Sequence, residues 1–124
     1  MTYKILIADD EPNIVISLEY LLRREAYEVT VARDGLEAMA AIRRERPQLV
    51  LLDVMMPGKT GFEVCQEVRA DEQLKDTLIL MLTARGRETD VAKGLALGAD
   101  GYMTKPFSTK ELVQRVRELL DRRP

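Results

Sequence analysis

The chain has no histidine, no tryptophan and a single cysteine, Cys65. Each shortage removes chemistry. Without imidazole there is no Ser-His-Asp triad, no Cys-His pair, no histidine-ligated zinc and no phosphohistidine of the chain's own. One cysteine excludes an internal disulfide and fits a reducing compartment, so a cytoplasmic location is expected. An excess of one charge is also missing, since 19 Lys and Arg stand against 21 Asp and Glu, a net charge of −2. That gives no basic field, and direct binding of DNA or RNA by this chain is not expected. No run approaches the roughly 20 apolar residues of a membrane span, so no membrane association is expected. Met1-Thr2-Tyr3-Lys4 lacks a signal-peptide pattern. Repeats, low-complexity segments and linkers are absent. Any chemistry must come from carboxylate, lysine, hydroxyl or bound metal.

What is present suits one soluble globular domain over 1–124, with 46% hydrophobic and 32% charged residues. Five strand-like runs, at about 3–8, 27–32, 48–52, 78–82 and 100–104, alternate with five helix-like segments. Alternating units of this length predict an α/β fold, a doubly wound parallel sheet with helices on both faces. Pro12 suits a first helical turn, and Ile14, Leu18, Leu21 and Leu22 recur at helical spacing behind it. Asp34 caps a second helix that uses Met39 and Ile42 and ends before Pro47. Thr60 with Glu63, and Ser108 with Glu111, each fit a capping box. The last helix carries the stripe Leu112, Val116, Leu119, Leu120. The helix near 87–97 is the weak one. Gly94 costs it about 1 kcal/mol relative to alanine, and its apolar face is only Val91, Leu95 and small residues. It reads as an element of low local stability, able to shift.

Polar residues close the strands. Ile5-Leu6-Ile7-Ala8 ends at Asp9-Asp10, and Leu49-Val50-Leu51-Leu52 ends at Asp53. Leu78 to Leu82 ends at Thr83, and Gly101 to Thr104 ends at Lys105-Pro106. In an open α/β sheet the binding crevice lies beyond the carboxyl ends of the strands. Three carboxylates delivered there repel one another, and are relieved by protonation or by a hard cation such as Mg²⁺. One carboxylate could attack phosphorus, with Lys105 and Thr83 meeting the phosphoryl oxygens. Singly these signals are weak, since Asp-Asp before Glu-Pro also reads as a helix cap and Lys-Pro as a surface turn. Their shared sheet edge gives them weight.

The segments Ile5-Leu6-Ile7-Ala8-Asp9-Asp10-Glu11-Pro12, Leu51-Leu52-Asp53-Val54-Met55-Met56-Pro57-Gly58, Leu82-Thr83-Ala84-Arg85 and Lys105-Pro106-Phe107, in that order, closely resemble the receiver domain of bacterial two-component response regulators. The resemblance spans residues 3–121. It implies a five-stranded, flavodoxin-like sheet of order 2-1-3-4-5 with five helices. It implies Asp53 as phosphoacceptor, and Asp9, Asp10, Asp53 and the Met55 backbone carbonyl as Mg²⁺ ligands. It makes Thr83 and Tyr102 the switch pair, Lys105 the phosphate-binding lysine and Lys105-Pro106 a cis bond. Met55 and Arg85 fall where the family tunes phosphate lifetime. The donor it implies is a sensor histidine kinase or a histidine phosphotransfer protein, with an unknown protein downstream. The output face would be built from the fourth helix, fifth strand and fifth helix.

Arg85-Gly86-Arg87-Glu88 and Lys105-Pro106-Phe107-Ser108 further resemble receivers of the winged-helix transcription-factor subfamily. That implies a phosphorylation-dependent homodimer, whose charged pattern Glu111, Asp100, Arg115 and Arg122 fit. Val91 and Gly101 depart from the pattern, leaving its salt-bridge set incomplete. Met1 suits a natural start, either of a stand-alone receiver or of a fragment from a longer regulator. Two rival readings remain: an aspartate-nucleophile phosphohydrolase, and a phosphate-independent interaction module on the same fold. The first usually has acids two apart on its first strand, and the second a lost acid or lysine. Neither mark is present, and a flavin site lacks its phosphate loop and aromatic pair.

Overall fold

The computed structural model describes residues 2–84 and 86–122. Arg85, read above as a rate-tuning position and part of the Arg85-Gly86-Arg87-Glu88 motif, lies outside them, as does Met1. The elements in chain order are β1 (Lys4–Ala8), α1 (Pro12–Arg24), β2 (Glu28–Ala32), α2 (Gly35–Glu45) and β3 (Leu49–Asp53). They continue as α3 (Gly61–Ala70), β4 (Leu78–Ala84), α4 (Glu88–Ala96), β5 (Gly101–Lys105) and α5 (Thr109–Asp121). The strands pair in parallel in the order β2-β1-β3-β4-β5. This is the flavodoxin-like order the resemblance implied.

Alternation along the strands divides the core in two. Leu6, Ala8, Val50, Leu52, Ile79 and Met81 face α2 and α3, meeting Met39, Ile42, Val64 and Val68. Ile5, Ile7, Leu49, Leu51, Leu80 and Leu82 face α1 and α5, meeting Leu18, Leu22, Leu112 and Val116. The central strands are thus apolar on both sides, which is why they read as continuous hydrophobic runs.

Local chemistry sets most helix starts. Asp34 accepts the Glu37 N–H at 2.8 Å to cap α2. Thr60 and Glu63 close both halves of a capping box on α3. At α5 only the hydroxyl half forms, with Ser108 accepting from the Glu111 N–H at 3.2 Å. Pro12 opens α1, but Glu11 at the N-cap makes no capping bond. Arg87 at the start of α4 makes none either.

Three strand ends run further than the sequence suggested. β4 continues through Thr83 and Ala84 because β5 pairs with them, Thr83 with Thr104 and Ala84 with Lys105. Asp53 likewise pairs with Leu82. The strand-end polar groups therefore stand on hydrogen-bonded backbone rather than on loops, which fixes their positions. The expected face of α4 needs correction. Gly94 is its buried residue, while Leu95 is 45% exposed. A Cβ on Gly94 would stand 3.4 Å from Met81 Cγ and 3.8 Å from Phe62. The missing side chain lets this helix lie close on the sheet, and with Gly94 facing the sheet the helical repeat of about 3.6 residues points Leu95, one position on, away from it.

Gly61 is the tighter junction. A Cβ there would meet the Asp53 carbonyl oxygen at 2.4 Å and Val54 Cα at 2.9 Å. Both are backbone atoms and cannot rotate away. Gly61→Ala is therefore expected to lower stability by about 2–3 kcal/mol, read from urea unfolding. A midpoint equal to the parent's would show that α3 can back off the sheet.

Candidate functional site

Asp9 follows β1, Asp53 ends β3, Thr83 stands in β4 and Lys105 ends β5, so all four gather at the carboxyl edge of the sheet. Asp9 is fully buried, Asp53 and Thr83 nearly so, and Asp10 is exposed. Asp9, Asp10 and Asp53 each bring a carboxylate oxygen within 4.8 Å of the others. Backbone amides orient two of them. The Glu11 N–H donates to Asp9 Oδ1 at 2.9 Å, and the Met55 N–H to Asp53 Oδ1 at 3.3 Å. Lys105 Nζ reaches into the acids, 2.8 Å from Asp9 Oδ2, 2.9 Å from Glu11 Oε1 and 3.6 Å from Asp53 Oδ2. The Lys105–Pro106 peptide bond is cis.

The electrostatics follow from this crowding. Burial, and then the charge of Asp9, push the Asp53 carboxyl up to about 7 from 3.8, against the pull of Lys105 and the Met55 N–H. Burial works to lower the Lys105 ammonium, but its hydrogen bonds to Asp9 and Glu11, with the Asp53 charge, prevail and raise it. One lysine among four carboxylates leaves the site negative. All-oxygen donors around a self-repelling charge suit a hard divalent cation, so the residues present fit Mg²⁺.

A cavity of about 290 Å³ opens over the acids, lined by Asp10, Glu11, Asp53, Met55, Arg87 and Lys105 among others. A larger groove of about 450 Å³ between α1 and α5 is lined by Leu21, Arg24, Lys110, Val113 and Arg117 and holds none of these acids. Thr83 lines an adjoining cavity of about 240 Å³, shared with Val91 and Tyr102. The Thr83 Oγ1 is buried with no hydrogen-bond partner among the described residues. Such a hydroxyl is costly unless a ligand or a movement supplies a partner. Tyr102 is 41% exposed on β5.

Sequence reasoning missed Glu11 as a ligand of Lys105, and Arg87 with Asp90 as part of the cavity wall, where they pair at 2.7 Å. Glu11 did leave a trace. Glutamate is not among the side chains that cap a helix well, and here it stands at an N-cap.

The family model for the response regulator receiver domain matches residues 5–117. The chain belongs to that family. This receiver domain is similar to a putative response regulator from Chloroflexus aurantiacus J-10-fl, at 38% identity and TM-score 0.94, covering 98% of this chain and 100% of that one. The chemotaxis response regulator CheY4 of Vibrio cholerae is 36% identical with TM-score 0.90, over 96% and 99% of the two chains. A BeF3-activated DrrB receiver domain is 32% identical with TM-score 0.88, over 98% and 100%.

One feature of the receiver domain bears on partners. Asp100, read above as part of a dimer pattern, is held inside the chain by Arg69 at 2.8 Å and by the Ile79 N–H at 2.8 Å. Cys65 is buried in the core, and that burial pushes its thiol up. Among the described residues, no helix is long and apolar enough to cross a membrane.

Proposed function

We propose that this receiver domain is a phosphorylation-driven switch that takes a phosphoryl group onto Asp53. The observation that carries this reading is Asp53 itself: a buried carboxylate with a raised pKa, among two further acids, at the floor of an open cavity beside Lys105. Asp9, Asp10 and Asp53, with the Met55 carbonyl, would hold Mg²⁺. Mg²⁺ would offset charge on the nucleophile and on the phosphoryl oxygens.

This chain has no histidine, so the phosphoryl group comes from another protein or a small phosphodonor; membership of the receiver family supports a phosphohistidine on a sensor histidine kinase or phosphotransfer protein. An Asp53 carboxylate oxygen forms the new O–P bond as the N–P bond breaks, and the electron pair returns to the imidazole nitrogen, which takes up a proton. Lys105 turns from the acids to the phosphoryl oxygens. The unpartnered Thr83 hydroxyl is a ready donor to the same group. The phosphoryl group adds about −1.5 to −2 charges. A shift of Thr83 toward it enlarges the cavity shared with Tyr102, and biases the face of α4, β5 and α5. The uncapped start of α4 and the exposed Tyr102 support that choice of face. Hydrolysis of the acyl phosphate resets the switch, so the domain is a signalling phosphoacceptor and not an enzyme for an outside substrate. Such a role belongs in the cytoplasm. A homodimer on this face would draw on Glu111, Arg115 and Arg122, since Asp100 is engaged within the chain.

The test is incubation with Mg²⁺ and acetyl phosphate followed by intact mass. One added phosphoryl group is expected, and chelation of Mg²⁺ is expected to prevent it. No adduct, or an adduct formed equally well with chelator, would overturn the reading. Steady hydrolysis of a small phosphoester would revive the phosphohydrolase.

A further inference from the structure

We propose that Glu11 is a positioning residue that holds Lys105 in reserve, favouring capture of the cation and opposing early capture of the phosphoryl group. The inference rests on the switch reading above and assigns a role to a residue outside its ligand set. Lys105 Nζ stands at 2.8 Å from Asp9 and 2.9 Å from Glu11, but 3.6 Å from Asp53. The ammonium is thus drawn to the side of the site away from the proposed nucleophile. Its two nearer partners differ in what it costs to leave them. The Asp9 side chain is fully buried, whereas that of Glu11 is 58% exposed. A buried carboxylate cannot lose its counter-ion cheaply, while an exposed one returns to water. Glu11 is the releasable partner.

Local structure points the same way. Glu11 occupies the N-cap of α1, where a Ser, Thr, Asp or Asn would satisfy the first turn. Its side chain makes no capping bond there and reaches a lysine 94 positions away instead. A position that breaks a local rule in this manner is a candidate for a functional role. Glu11 also lines the mouth of the cavity over the acids.

Two consequences have opposite sign. The Glu11 charge neutralises Lys105 and adds negative potential, and both favour a cation at the acids. The same charge repels an incoming phosphoryl group and competes with it for Lys105. Glu11 therefore makes the site ready for metal first and for phosphoryl second.

The experiment measures Mg²⁺ affinity by calorimetry, and beryllofluoride affinity at saturating Mg²⁺ by fluorine NMR, in Glu11→Gln, Glu11→Ser and the parent. Glu11→Gln is expected to weaken Mg²⁺ about threefold and to tighten beryllofluoride about threefold, the scale of an exposed ion pair. Glu11→Ser is expected to match Glu11→Gln although serine is the better cap. A structural role would move both affinities together, so a shift of both in one direction overturns the proposal. No shift in either overturns it too, as does a serine variant that behaves like the parent. A parent that binds neither Mg²⁺ nor beryllofluoride would instead sink the switch reading itself.

Discussion

Asp53→Asn is expected to abolish phosphoryl labelling and, in the absence of metal, to make the folded protein more stable. The first effect follows from chemistry: an amide at this position offers no carboxylate oxygen to phosphorus, and no neighbouring acid stands on β3 to replace it. The second follows from charge. Each unit of pKa shift corresponds to about 1.4 kcal/mol between protonation states. A carboxyl raised to about 7 from 3.8 by burial and by Asp9 therefore weighs against the fold once it is ionised. Asparagine, of the same shape and uncharged, is expected to recover roughly 2–4 kcal/mol near pH 8.

The pH dependence fixes the sign. Between about pH 4 and pH 7 the folded state keeps a proton on Asp53 that the unfolded state has lost, so this group lowers stability as pH rises through that window. Above about pH 7 both states are ionised and the penalty is constant. The advantage of Asp53→Asn over the parent should thus be near zero at about pH 4, grow to about pH 7 and level off. Urea unfolding with chelator across this range measures it. A variant less stable than the parent near pH 8, or an advantage independent of pH, would sink the account of the buried acid. Labelling that survives in Asp53→Asn would sink the assignment of the phosphoacceptor.

The architecture was readable in the sequence because the central strands are apolar on both faces and each ends in a polar residue. Ile5 to Ala8 before Asp9, and Leu49 to Leu52 before Asp53, are visible without any knowledge of packing. What depends on depth was not visible. Asp9 and Asp10 look equivalent as neighbours in the chain, yet the fold buries the first and exposes the second. Glu11 and Lys105 lie too far apart in sequence for periodicity to pair them. The face of α4 was misjudged because hydrophobicity alone favours Leu95. Contact with Met81 and Phe62 is decided by Gly94, where nothing projects. The half-formed cap at Ser108 shows the same limit, since a capping motif states which bonds are available and packing decides which are made.

The loss of Arg69 is expected to be the most damaging change outside the core and the site. Its guanidinium donates to the carbonyls of Gly98 at 2.9 Å, Lys75 at 3.0 Å and Thr77 at 2.6 Å, and to Asp100 Oδ2 at 2.8 Å. One side chain on α3 thereby ties the segment before β4 to the turn between α4 and β5. Gly98 has φ 108°, and a Cβ there would lie 3.1 Å from Arg69 Cγ, so the aliphatic stem packs as closely as the head bonds. Arg69→Ala removes the fork and leaves Asp100 with the Ile79 N–H as its remaining side-chain partner among the described residues. A loss of about 3 kcal/mol is expected, the usual cost of breaking a partly buried, charge-assisted set of hydrogen bonds. Arg69→Lys should recover only a small part, because a single ammonium cannot satisfy acceptors spread around a planar fork. Hydrogen exchange should rise at the Ala99 and Asp100 amides, which bond to Gly94 and Ile79. A lysine variant as stable as the parent, or unchanged exchange at those amides in Arg69→Ala, would contradict the clamp. The proposed switch needs α4 to shift, and Arg69 holds its carboxyl end while no side chain caps its start. In that proposed switch, the shift of α4 is expected at its amino end, beside the acids.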